Sequence, residues 1–235
     1  MQWQVEIYGE PWTLDRVESL FPEGDCFITH EAGRYSVAWS DSSMFASAAD
    51  ARLKAAEAIE EFFSIGRLIF LNLSPISIGA ATEILSSGER KVHPFPVSST
   101  ARMSYFVDEP NGSEIRKLKA SAMLGTAKAG GALRTAVVLW ALEAPNWPRL
   151  YRIVEEVEMH FATTIDRLGF CSDAERRRFT HSANSAAVAG NDSRHASGSF
   201  APPKKPLELS EAVEFVRTIV ERSLLSNAIG GRIEG

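Results

Sequence analysis

The residues whose types could do chemistry gather in one stretch of the chain, from 174 to 206. Arg177, His181 and Asn184 stand at i, i+4 and i+7, a spacing that places them along one stripe of a helix. Gly190-Asn191-Asp192-Ser193-Arg194-His195 follows, and a chain folding back after Gly190 would carry Arg194 and His195 toward His181 and Asn184. Arg194, a fork of donors, beside a protonated histidine suits an anion, with Arg177, Asn184, Asn191 and Asp192 completing the ligand-binding set. His181, His195 and Arg194 equally suit general acid–base catalysis, because histidine titrates near neutrality. A third reading is structural: Arg194 clips the carbonyls at a helix C-terminus and Asn184 ties down loop backbone. His181, His195 and Asp192 contain no i, i+4 ligand pair, so no metal is expected, and nothing in the sequence asks for a cofactor. His30, His93 and His160 are expected to be structural.

These residues must be held by helices. From Asn111-Gly112 onward the chain reads as helical throughout: Glu114–Leu124, Ala132–Glu143, a long amphipathic stretch from Trp147 to Leu168 stopped by Gly169, and a last helix from Ser210 to about Leu225. Asn146 is placed to cap and Pro148 lies in the first turn, while Ser172-Asp-Ala-Glu175 forms a capping box for a helix running to Gly190. Pro202-Pro-Lys-Lys-Pro206 reads as an extended connection. The first 110 residues read differently. Gln2–Tyr8, Cys26–His30 and Arg34–Trp39 alternate as strands, with a hairpin at Gly33 and a turn-rich stretch around Pro11, Pro22 and Gly24. One helix opens at Ser47-Ala-Ala-Asp50, and apolar Ala51, Ala55, Ile59, Phe62 and Phe63 follow at near-helical spacing. Strand pattern then returns around Ile76–Ile78, Thr82–Leu85 and Arg102–Val107. The expected fold is therefore α+β: a mixed β-sheet module with one helix over 1–110, a helical bundle over 111–226, and a flexible tail over 227–235.

Charge divides the same way. Residues 1–110 hold 8 Lys/Arg against 16 Asp/Glu, net −8, and the rest hold 17 against 14, net +3, which together return the chain's −5. An acidic first part disfavours phosphate contacts there, so RNA is admitted as a partner only locally in the second part. No apolar run is long enough for a membrane helix, and Met1–Glu10 lacks the basic start and apolar stretch of a secretory leader. Cys26 and Cys171 are far apart and outside any metal spacing, as expected of reduced cytosolic thiols. Several motifs fall short. Gly125-Thr-Ala-Lys-Ala-Gly-Gly131 lacks the Lys-Ser/Thr of a phosphate-binding loop and reads as a helix connection. Glu155, Glu156 and Glu158 read as a solvated helix face, and Arg176–Arg178 as an exposed basic turn.

Trp147-Pro-Arg-Leu-Tyr-Arg-Ile, Arg178-Phe-Thr-His-Ser-Ala-Asn184, Gly190-Asn-Asp-Ser-Arg-His-Ala196, Pro202-Pro and Leu209-Ser-Glu-Ala-Val together resemble a bacterial family of uncharacterised cytosolic proteins over about 144–225. Arg176-Arg-Arg-Phe-Thr-His181 is also similar, more weakly, to the HEPN helical domains of ribonucleases in toxin–antitoxin and phage-defence systems, whose signature is Arg, four to six residues, then His. That second resemblance implies a ribonuclease using His181, His195 and an arginine. The leading expectation is a cytoplasmic sensing or interaction protein that binds an anionic ligand or a protein partner, with a second copy of the chain also admitted. The competing one is the HEPN-like ribonuclease.

Overall fold

The computed structural model describes residues 2–70, 72–95, 113–142, 144–193 and 201–230. The chain divides into two compact units, Met1–Ser121 and Ala122–Gly235. It is α+β, with a five-stranded sheet in the first unit and helices throughout the second. The Asn111-Gly112 boundary and the Arg102–Val107 strand expected from sequence lie outside the described residues.

In the first unit the order is β1 (Gln2–Tyr8), α1 (Pro11–Leu20), β2 (Cys26–Glu31), β3 (Arg34–Trp39), α2 (Ala48–Ile69), β4 (Ser77–Ile84) and β5 (Arg90–His93). The strands lie side by side as β2-β3-β1-β4-β5, a split β-α-β arrangement with one added edge strand. Every described pair is antiparallel, which corrects the mixed sheet expected. The reason is geometric: the hairpin joining β2 to β3, together with two helical crossovers, brings opposite directions together at each neighbour. That hairpin turns on Ala32 and Gly33, both at positive φ, as a two-residue turn of this hand demands. A second correction is α1, where the sequence suggested only turns. Pro11 occupies its first position, where a missing N–H costs nothing, and Thr13, Leu14, Val17 and Leu20 recur at helical spacing and are buried. These side chains join Val5, Ile7, Ile28 and Val37 of the strands and Ile59, Phe62 and Ile65 of α2 in one core. Phe21 and Phe62 stack within it at 4.4 Å. Trp3 and Tyr35 are buried as packing residues. Ser47 caps α2 through its side chain, as its sequence suggested.

The second unit holds the later part of α3 (Ser113–Lys128), then α4 (Gly131–Ala141), α5 (Trp147–Phe161), α6 (Asp173–Asn184), the four-residue α7 (Ala186–Ala189), a 3-10 turn at Gly190–Asp192, and α8 (Leu209–Gly230). The stretch expected to connect two helices after Leu124 is helical as far as Lys128, and Gly130 and Gly131 at positive φ make the break. α5 stops at Phe161 rather than at Gly169, although apolar residues continue at helical spacing. Ala162 adopts a left-handed conformation, and the Glu158 carboxylate reaches forward to accept the Ile165 N–H at 3.2 Å. α6 likewise ends at Asn184, earlier than the expected Gly190, and α8 runs past Leu225 to Gly230. The core centres on Phe179 of α6, whose ring meets Trp147 and Tyr151 of α5 and Phe215 of α8. Among the described residues no helix is long and apolar enough to cross a membrane.

Candidate functional site

Five of the seven residues singled out from the sequence are among the described residues. Arg177 is exposed on α6 and donates to Asp173 one turn earlier at 3.0 Å. His181 is exposed farther along the same helix, whereas Asn184 is buried at its end. Asn191 and Asp192 are exposed on the 3-10 turn. No hydrogen bond or ion pair joins any two of these five, and Arg194 and His195 lie outside the described residues. The buried Asn184 Oδ1 and Ser185 Oγ have no hydrogen-bond partner among the described residues. Nor do the described residues contain three His, Cys, Asp or Glu side chains grouped to hold a metal.

The arginine triplet is not an exposed basic turn either. Arg176 donates Nε to Glu158 Oε1 at 2.8 Å and Nη2 to Glu158 Oε2 at 3.3 Å, with Asp166 at 3.4 Å. This clasp ties α6 to the end of α5 and to the turn after it, and the Glu158 hydrogen bond raises the arginine's already high pKa. Glu158 is therefore half-buried, and Glu156 is 3% exposed and paired with Arg152 at 2.6 Å, so the solvated face expected here is largely spent on internal pairing. Residues five apart on a helix point about 140° from each other, and Arg176 accordingly serves this clasp while His181 faces solvent.

Arg178 has the most informative partners. Its Nε donates to the Lys205 carbonyl at 2.7 Å, and its Nη2 donates to the Pro206 carbonyl at 3.0 Å and to Glu211 at 3.3 Å. Ser182, one turn on, accepts the Leu207 N–H at 3.0 Å and donates to the Arg178 carbonyl at 2.8 Å. A loop clip of the anticipated kind thus exists, with Arg178 and Ser182 as its residues. It lays the Pro-rich connection along α6 and delivers Leu207 and the start of α8, where Glu211 accepts the Glu208 N–H at 2.9 Å.

Between α6, α8 and the Gly169–Ser172 turn lies a groove of about 830 Å³. Phe170, Leu207, Phe215 and Ile219 supply its apolar surface, and Glu175, Arg178, Glu211, Glu214 and Arg222 its charges. That volume is within the usual range for small-molecule sites. Arg222 donates Nη1 to the Phe170 carbonyl, while its Nε and Nη2 carry no hydrogen bond among the described residues. Glu175 closes the capping box of α6, its Oε2 accepting from the Ser172 N–H at 2.8 Å and hydroxyl at 2.7 Å. The Ser172 N–H, then its hydroxyl, hold the Glu175 carboxyl below the usual range, so it is ionised at neutral pH. Arg217 does the same for Glu214. Cys171 also lines the groove, but burial first, then Glu175 and Asp166, push its thiol up to about 11. It is therefore protonated at neutral pH and is no nucleophile.

The α8 contribution escaped the sequence reading because only the apolar stripe of that helix was followed. Glu211, Phe215, Thr218 and Arg222 recur at intervals of three and four, and this second, mixed stripe was the available signal. The chain matches no protein family, no curated protein and no solved structure.

Proposed function

We propose that this protein is a sensing or interaction protein that binds a small anionic ligand in the α6–α8 groove. The observation that carries the reading is the way Arg222 is anchored. Arg222 is held by a backbone carbonyl alone, and Arg178 by two carbonyls besides Glu211. A carbonyl orients a guanidinium without cancelling its charge, so the remaining N–H groups of Arg222 are preset for an incoming anion. The apolar surface beside them receives the rest of the ligand. Cys26 and Cys171, half-buried and not joined in a disulfide, accord with a reducing, cytoplasmic setting.

The test is thermal unfolding with sodium hexanoate and, separately, phenyl phosphate, comparing wild type with Arg222→Gln. At a hundredfold excess over Kd a ligand stabilises by about 2.7 kcal/mol. Saturable stabilisation that Arg222→Gln removes is the expected result. Absence of stabilisation, together with RNA cleavage lost in a folded His181→Ala variant, would replace this reading with the HEPN-like ribonuclease.

A further inference from the structure

Resting on that reading, we propose that the groove's ligand is a small zwitterion with an apolar body, of the class of apolar amino acids and their short peptides. The charges in the groove are only partly matched. Glu211 is matched by Arg178 at 3.3 Å, and Glu214 by Arg217 at 2.9 Å. Arg222 and Glu175 remain. Both line the groove, and no ion pair joins them.

Each of these two is fixed from behind and unfinished in front. The Phe170 carbonyl holds Arg222 by one nitrogen and leaves two nitrogens with donor capacity. Ser172 holds Glu175 by Oε2 and leaves Oε1 without a partner among the described residues. A ligand carrying only an anion would satisfy Arg222 but place its charge near the Glu175 carboxylate. A ligand that adds an ammonium turns that repulsion into a second ion pair. One carboxylate and one ammonium on a compact body is the chemistry of an amino acid or a peptide's ends. Phe170, Leu207, Phe215 and Ile219 require the body to be apolar, and about 830 Å³ leaves room for more than one side chain.

Calorimetric titration of the full chain with leucine, sodium hexanoate and hexylammonium chloride separates the possibilities. Leucine is expected to bind about two- to fivefold more tightly than hexanoate, the margin of a partly exposed ion pair, and hexylammonium most weakly. Glu175→Gln, which keeps a capping-box residue in place, should erase leucine's margin over hexanoate. Arg222→Gln should weaken both carboxylates by about tenfold. Equal binding of leucine and hexanoate to wild type, with no change in Glu175→Gln, would overturn the zwitterion and leave the anion reading standing. No binding of either would bring down both.

Discussion

Two surfaces of this molecule carry arginines above a depression, and they hold them in different ways. On the polar face of the sheet, about 400 Å³ is enclosed by Gln4, Glu6, Thr29, Arg34, Thr82 and Arg90. There Arg34 lies 3.7 Å from Glu6, and Arg90 donates to Gln4 at 2.6 Å. Arg34 of β3 is diagonal to Glu6 on the neighbouring β1, where such pairs stabilise sheets, whereas Arg90 of β5 reaches across β4 to Gln4 of β1. In the α6–α8 groove Arg222 is anchored by a main-chain carbonyl alone and Arg178 by two carbonyls as well as Glu211, and buried aromatic and aliphatic side chains lie beside them. On the first surface both arginines are met by side chains, Arg34 by a carboxylate and Arg90 by a neutral amide. On the second, Arg178 is spent on Glu211 and two carbonyls, and Arg222 keeps its charge in reserve. What distinguishes a candidate site is therefore the kind of partner its arginines have, more than the number of arginines.

That contrast can be broken by substitution. Arg178→Ala should have the largest effect, because it strands two carbonyls and Glu211 together. With part of the guanidinium exposed, the loss should be about 1–2 kcal/mol in denaturant unfolding. Ser172→Ala should cost about 1 kcal/mol at neutral pH by removing the cap of α6. Its pH dependence has a definite sign. Glu175 has a folded-state pKa below its ordinary 4.5, so its contribution is present above that pH and is lost as pH falls through the folded value. The gap between wild type and Ser172→Ala should therefore narrow in acid below about pH 4.5. Arg34→Ala, at a side chain 76% exposed and paired at 3.7 Å, should change stability by less than about 0.5 kcal/mol. A loss at Arg34 equal to that at Arg178 would erase the distinction.

The local features of the fold were legible in the sequence, and the long-range ones were not. Alternation in Gln2–Tyr8, the Gly33 hairpin, the Ser47 cap and the Ser172–Glu175 capping box each depend on residues within a few positions of one another. α1 was missed because Pro11 reads as a turn unless it is placed at a helix's first position. α5 was read too long because Ile165 and Leu168 keep the apolar spacing, while the signal that ends the helix lies in how the Glu158 side chain is used. The groove was hidden for a related reason. Arg178 finds its carbonyls 27 and 28 residues away, and Arg222 finds its own 52 residues away. No periodicity announces a bond between a guanidinium and a carbonyl of the backbone, since every residue type offers one.

The central claim is that the α6–α8 groove takes a ligand and the sheet face does not. Methyl-resolved NMR during a titration with sodium hexanoate or leucine tests it most directly. The Leu207 and Ile219 methyls, which line the groove, should shift and saturate, while Val92 on the sheet face stays unchanged. Shifts at Val92 with Leu207 and Ile219 silent, or no saturable shift at any of the three, would contradict the account.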